Sequence, residues 1–196
     1  MKAIKRVCVY CASSSIVNRQ YFNAAEKLGG ILARNNIEIV YGGGSSGLMG
    51  RLADAALDSG GRVVGVMPYF MNDLEWGHSD LTELILVDDL ARRKKRMVQN
   101  TDAIIALPGG SGTLEELVEA ITWKRLAIYL NPIIICNIDG FYDPFIAMLQ
   151  RMVDQNFMDA RHMDMWTIIE DVAHVIDAIR SAKVWSPDNR QFASIR

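Results

Sequence analysis

Histidine and cysteine are scarce in this chain, with three of each in 196 residues. An odd cysteine count argues against a disulfide framework. So few histidines, with a single C-x-x-C string, leave a zinc site without its usual ligands. That string, Cys8-Val9-Tyr10-Cys11, lies in and at the end of an apolar strand, whereas a redox pair needs a helix start to lower a thiol pKa. Cys8 and Cys136 read as small core fillers. Charge of one sign is lacking too: 21 basic residues face 23 acidic ones, so no global field points to nucleic acid or a membrane surface. No run approaches the ~20 apolar residues of a membrane span, and the apolar stretch near the N-terminus is too short for a signal peptide. Repeats, low-complexity tracts and linkers are absent as well. The expectation is a soluble, cytoplasmic protein of one domain, residues 1–182, with a loosely held tail at 183–196. No metal, cofactor, nucleic-acid or membrane partner is expected.

What is present is alternation. Val- and Ile-rich runs predict strands at Arg6–Cys11, Ile37–Tyr41, Arg62–Met67, Glu83–Val87, Ala103–Leu107, Ile133–Asn137 and Thr167–Ile169. Helical patterns fall between them at Arg19–Arg34, Leu48–Ser59, Asp89–Asn100, Thr113–Leu126, Pro144–Gln155 and Asp171–Ala182. Strands without polar alternation are covered on both faces. A β-α-β-α order then implies an α/β fold, a Rossmann-like, doubly wound parallel sheet with right-handed crossovers. Ligands of such sheets collect at the carboxyl ends of the strands.

Three of those ends carry small-residue loops: Ala12-Ser13-Ser14-Ser15, Gly42 to Gly47, and Pro108-Gly109-Gly110-Ser111-Gly112. Ser13, Gly43 and Gly44, and Pro108 through Thr113 are the candidate substrate contacts. The third loop opens a helix, whose free amides and positive dipole end suit a phosphate. Gly42-x-Gly44-x-x-Gly47 satisfies the dinucleotide fingerprint in form. It follows the second strand instead of the first, however, and the next strand ends in Met67-Pro68-Tyr69, where a ribose-binding acid would be wanted. No Lys-Ser or Lys-Thr pair closes a P-loop.

Glu116 sits one turn into the helix after the third loop. Thr113-x-x-Glu116 also fits a capping box. The wheel puts Leu114, Leu117, Val118 and Ile121 in a core stripe and leaves Glu116 beside Ala120 and Trp123, as in a pocket wall. Burial there would raise its pKa. In the basic run Arg92-Arg93-Lys94-Lys95-Arg96, only Arg93 follows the inward stripe set by Leu90 and Met97. An inward arginine needs an anion, either a carboxylate or a ligand, and the ligand is favoured here. His78, in the polar loop Asn72–Asp80 with Glu75, reads as a solvated histidine; His162 and His174 suggest no role. Trp123, Leu126 and Ile128 could supply a dimer face, which core packing explains equally well.

Pro108-Gly109-Gly110-x-Gly112-Thr113-x-x-Glu116 together with Gly42 to Gly50 resembles the LONELY GUY-type cytokinin-activating phosphoribohydrolases, many once labelled lysine decarboxylases. The likeness runs from Arg6 to about Phe157, including Val64 to Pro68 and Gly140-Phe141-Tyr142. It implies a homodimeric enzyme that splits a nucleoside 5′-monophosphate into free base and ribose 5-phosphate. It also implies a catalytic Arg-Lys pair at Arg93 and Lys94, a catalytic acid at Glu116, and substrate contacts at Glu75, Gly110 to Glu116 and Thr122. One departure is Leu90-Ala91-Arg92, where many members carry Met-His-Glu or similar; it bears on base preference. The alternatives are an AMP nucleosidase and a nucleotide-binding protein without catalysis. Nothing marks a pyridoxal phosphate lysine.

Overall fold

The computed structural model describes residues 3–193 apart from 75. Seven strands form one parallel sheet: β1 Arg6–Tyr10, β2 Glu38–Tyr41, β3 Val63–Pro68, β4 Glu83–Val87, β5 Ala103–Ala106, β6 Ile133–Cys136 and β7 Thr167–Ile169. Their order across the sheet is β4-β3-β2-β1-β5-β6-β7. The order reverses between β1 and β5, which pair from Val7↔Ala103 to Tyr10↔Ala106. A crevice therefore opens beyond the carboxyl ends of these two strands, where their connections diverge to opposite faces.

The helices are α1 Arg19–Arg34, α2 Gly47–Asp58, the short α3 Tyr69–Asn72, α4 Leu90–Val98, α5 Ser111–Arg125, α6 Asp143–Asp154 and α7 Val175–Ser181. Alternate strand residues serve two separate cores, which is why the strands read as unbroken apolar runs. Val7, Val9, Ile39, Tyr41 and Ile105 pack with α1, α2 and α7. Cys8, Tyr10, Val40, Val66 and Ile104 pack with Met97 of α4, Leu117 and Ile121 of α5, and Leu149 of α6. All three cysteines are free and buried.

The sequence limits of α1, β4 and β7 hold to the residue, and the remaining boundaries move by one or two positions. The last predicted helix is divided, a 3-10 turn at Val172–His174 preceding α7. Beyond α7, Trp185 is buried. A 3-10 turn follows at Pro187–Phe192, opened by a capping box at Ser186, and the Arg161 guanidinium lies 3.4 Å over the Phe192 ring.

One glycine is obligatory to the site edge. Gly47, at φ +64°, starts α2 so close to the β1 loop that a Cβ would stand 2.4 Å from the Ser13 carbonyl carbon. A side chain there meets both left-handed strain and a backbone clash. Gly47→Ala is expected to lower stability by about 2 kcal/mol, roughly 4–8 °C in melting temperature for a domain of this size. An unchanged thermal transition would contradict this packing.

Candidate active site

The switch-point crevice is built from four chain segments. β1 leads into Ser13, whose backbone carries Gly47 against it. β2 leads into Gly42, Gly43 and Gly44, all buried. β3 ends in Met67 and Pro68. β5 leads through buried Pro108 into Gly109 and Gly110, and Gly110 is the N-cap of α5 with no side chain bonded to the helix start. The backbone links these loops directly: Ala12 N donates to the Pro108 carbonyl at 3.3 Å and Met49 N to the Ala12 carbonyl at 3.1 Å.

The helix start is open. A Cβ at Gly110 or at Gly112 would meet no heavy atom within 4 Å, whereas one at Gly109 would stand 2.1 Å from the Thr113 hydroxyl oxygen. Gly109 thus lets Thr113 pack onto the turn, and the other two keep the amide end of α5 uncovered. Ser111 is exposed and Thr113 buried. No capping box forms, because the helix begins two residues ahead of Thr113. Glu116 is released from a capping role and points elsewhere.

It points at Arg93. The guanidinium Nη1 donates to Glu116 Oε1 at 3.2 Å, Nε donates to the Val66 carbonyl at 3.0 Å, and Nη2 to the Gly42 carbonyl at 3.3 Å. Their side chains are only 13 % and 9 % exposed. The inward orientation expected of Arg93 is found, and its resident anion is this carboxylate. Three of five guanidinium N–H groups are occupied, which leaves two for a ligand. Burial pushes the Glu116 carboxyl up to about 7, against the opposing pull of Arg93. A carboxyl with a pKa near neutrality, beside a fixed cation and an open helix start, can exchange a proton and stabilise developing positive charge.

The core stripe of α5 differs from the expected one. Glu116, Leu117, Ala120 and Ile121 are buried with Thr113 and Lys124, while Leu114 and Val118 are exposed. Apolar spacing alone centres the wheel on Leu114 and Val118 and sets Glu116 in a neighbouring pocket wall instead of on the core face. Buried Glu116 is tolerated because Arg93 meets it.

Lys94 does not turn toward the crevice. Its ammonium is held by Glu115 and by Glu119, the latter at 3.0 Å, so it ties α4 to α5. Thr122 is likewise apart from Glu116: its hydroxyl donates back to the Val118 carbonyl at 3.0 Å. Six residues place it roughly 9 Å along the helix and on another face. Glu75 lies outside the described residues. His78 is buried instead of solvated, with Nε2 2.9 Å from Asp54 Oδ1.

Beside Arg93 the crevice deepens into a cavity of about 280 Å³, lined by Ser13, Gly42, Gly44, Ser46, Met49, Met67, Met71, Trp76 and Arg93. The three methionines and Trp76 escaped the sequence reading, since no periodicity marks residues that meet only where a strand end, a helix start and a loop converge. Among the described residues, no group of three or more His, Cys, Asp or Glu is placed to hold a metal ion.

The parallel sheet, its switch-point crevice and the paired glycine loops define a Rossmann-like α/β protein. A solved structure of the molybdenum cofactor carrier protein from Chlamydomonas reinhardtii has this fold, with a TM-score of 0.70 at 20 % identity over 91 % of this chain and 98 % of that one. The family described as "Possible lysine decarboxylase" matches residues 49–179. A protein of Oryza sativa subsp. japonica named probable cytokinin riboside 5′-monophosphate phosphoribohydrolase is 40 % identical over 172 residues, covering 88 % of this chain and 76 % of its own. An Arabidopsis thaliana cytokinin riboside 5′-monophosphate phosphoribohydrolase is 42 % identical over 156 residues, covering 80 % of this chain and 73 % of its own. The chain belongs to the LONELY GUY-type phosphoribohydrolase family.

Proposed function

We propose that this protein hydrolyses the N-glycosidic bond of adenosine 5′-monophosphates, with or without an N6 substituent, to free base and ribose 5-phosphate. The observation that carries the reading is the buried Arg93–Glu116 pair, set between an uncapped glycine helix start and a cavity with an apolar wall. The names of the relatives above support the same reaction.

In the reaction the bond from ribose C1′ to the base nitrogen breaks, its electron pair leaves with the base, and a water oxygen bonds to C1′. One water proton ends on the base. Positive charge builds on the sugar and negative charge on the base, so a carboxylate near the first and a cation near the second lower the barrier. Glu116, as the carboxylate, stabilises the oxocarbenium-like centre and takes the proton from water. Arg93 holds Glu116 in place and offers its two remaining N–H groups to the nucleotide. The Ser111, Gly112 and Thr113 amides grip the 5′-phosphate with Gly109, Gly110 and Ser13 alongside, and Gly43 and Gly44 keep the floor open. Met49, Met67, Met71 and Trp76 face the base, an apolar wall suited to an N6-alkyl group. Among the described residues the cavity lining contains no lysine, which disfavours Schiff-base chemistry there.

A homodimer is part of the proposal. Leu114, Val118 and Ile128 are exposed on or just after α5, beside half-buried Trp123, and Thr122 lies in the same strip. Docking of a second copy there would cover these groups. Buried free cysteines fit a reducing, cytoplasmic compartment, and among the described residues no helix is long and apolar enough to cross a membrane.

The test compares substrates. kcat/KM for AMP is expected to exceed that for adenosine by about 100-fold or more, the effect of losing charge-assisted phosphate contacts. Equal values would remove the phosphate from the reading. A preference between AMP and N6-isopentenyl-AMP, measured alongside, decides between plain AMP nucleosidase action and cytokinin release.

A further inference from the structure

We propose that His78, held by Asp54, is a positioning residue that sets the Trp76 wall of the substrate cavity. The inference rests on the function proposed above for the use of that cavity, and on the geometry for the device itself.

The wall belongs to an irregular segment between α3 and β4. Among the described residues its pairing is a single isolated bridge, Gly44↔Gly77. Around it His78 N donates to the Gly43 carbonyl at 2.9 Å and Ser45 N to the Trp76 carbonyl at 3.1 Å. These bonds join the segment to the glycine loop after β2, edge to edge. Two or three ladder bonds at the margin of a sheet hold a segment weakly, and Trp76 itself is half-exposed. Something else must fix where its indole stands.

His78 supplies that anchor. Its side chain is buried although it comes from a loop. Nδ1 accepts from Asp80 N at 3.2 Å, so Nε2 carries the proton and donates to Asp54 Oδ1 at 2.9 Å. Asp54 stands on α2, the helix that issues from the same glycine loop. The imidazole thus ties the wall to the element carrying the cavity floor, and Trp76, Gly42 and Gly44 line one cavity from its two sides. Because the Asp54 side chain is more than half exposed, removing its carboxylate leaves α2 folded and releases the histidine alone. Neither residue lines the cavity, so neither touches a substrate bound there.

Two readouts test this. In hydrogen exchange, Asp54→Ala is expected to speed exchange of the Ser45 and His78 amides about tenfold or more, while β1 and β5 amides keep their rates. In steady-state assays with AMP, Asp54→Ala and His78→Ala are expected to raise KM about tenfold with kcat within twofold of wild type. Asp54→Asn, which keeps an acceptor oxygen, is expected to restore KM to within twofold. The double alanine variant should be no worse than the poorer single one. Unchanged exchange in Asp54→Ala overturns the proposal, as does a parallel fall of kcat and melting temperature that asparagine does not rescue. Should wild type release no ribose 5-phosphate from AMP, the function reading fails by itself. The exchange measurement, which needs no substrate, still decides the positioning role.

Discussion

Glu116→Gln is expected to lower kcat for ribose 5-phosphate release from AMP by about 100- to 10,000-fold, the range over which a positioned acid or base contributes. Glutamine keeps the length of the side chain and an acceptor for Arg93 Nη1, so the cavity and the guanidinium stay in place and AMP still binds. What disappears is the negative charge facing the sugar and the site that takes a proton from water. Near-wild-type turnover would remove Glu116 from the chemistry. The pH profile gives a second reading of the same residue. If the carboxylate is the working form, wild-type kcat/KM climbs as pH rises through about 7, where burial has moved this group, and the residual activity of the glutamine variant lacks that step. Stability runs the other way. A carboxyl whose folded pKa lies above its unfolded value holds its proton more tightly when folded, so wild type loses stability as pH rises from about 4.5 to 7. Unfolding in urea at pH 5 and pH 8 should show that loss in wild type and less of it in Glu116→Gln.

Arg93→Ala is expected to cost at least about 100-fold in kcat/KM for AMP and to destabilise the fold by about 3 kcal/mol. The larger penalty arises because one side chain serves three acceptors. Its removal leaves the Val66 and Gly42 carbonyls without these donors and strands a buried carboxyl without its cation. Breaking a buried pair from one side typically costs 3–5 kcal/mol. Glu116 relieves part of that by keeping its proton, so its pKa rises further and the residual activity shifts to higher pH. Arg93→Lys should not restore activity, since an ammonium cannot span carbonyls from two strand ends and a carboxylate at once. Chemical denaturation together with the pH profile separates these effects. A variant of normal stability with an unshifted profile would contradict the geometry of the pair.

The strands were legible because a doubly covered parallel sheet writes Val and Ile without interruption, and Ile133 to Cys136 could be little else. The inward turn of Arg93 was legible from its spacing to buried Met97, even though four other cations surround it; Leu90, taken as the second marker of that stripe, is itself exposed. Local pattern failed where pairing overrode it. Apolar spacing alone centred the α5 wheel on Leu114, Leu117, Val118 and Ile121, promoting Leu114 and Val118 to a core they do not reach and setting Glu116 in a neighbouring pocket wall, whereas its carboxylate is buried on the core face itself. His78 was misread for the same reason: its partner Asp54 lies 24 positions upstream on α2, and no local signal links a loop histidine to a helix on the other side of β3. Glycine spacing placed the turns and helix starts that follow β2 and β5, because uncapped helix starts and tight turns are properties of the backbone. The methionine and tryptophan wall had no such signature, assembled as it is from single residues of four segments.

The most direct test of the account is the product balance on AMP with purified wild-type protein. Adenine and ribose 5-phosphate should accumulate in equal amounts, one of each per AMP consumed. Inorganic phosphate with adenosine in their place, or no turnover while AMP binds, would contradict N-glycosidic hydrolysis by the Arg93–Glu116 site.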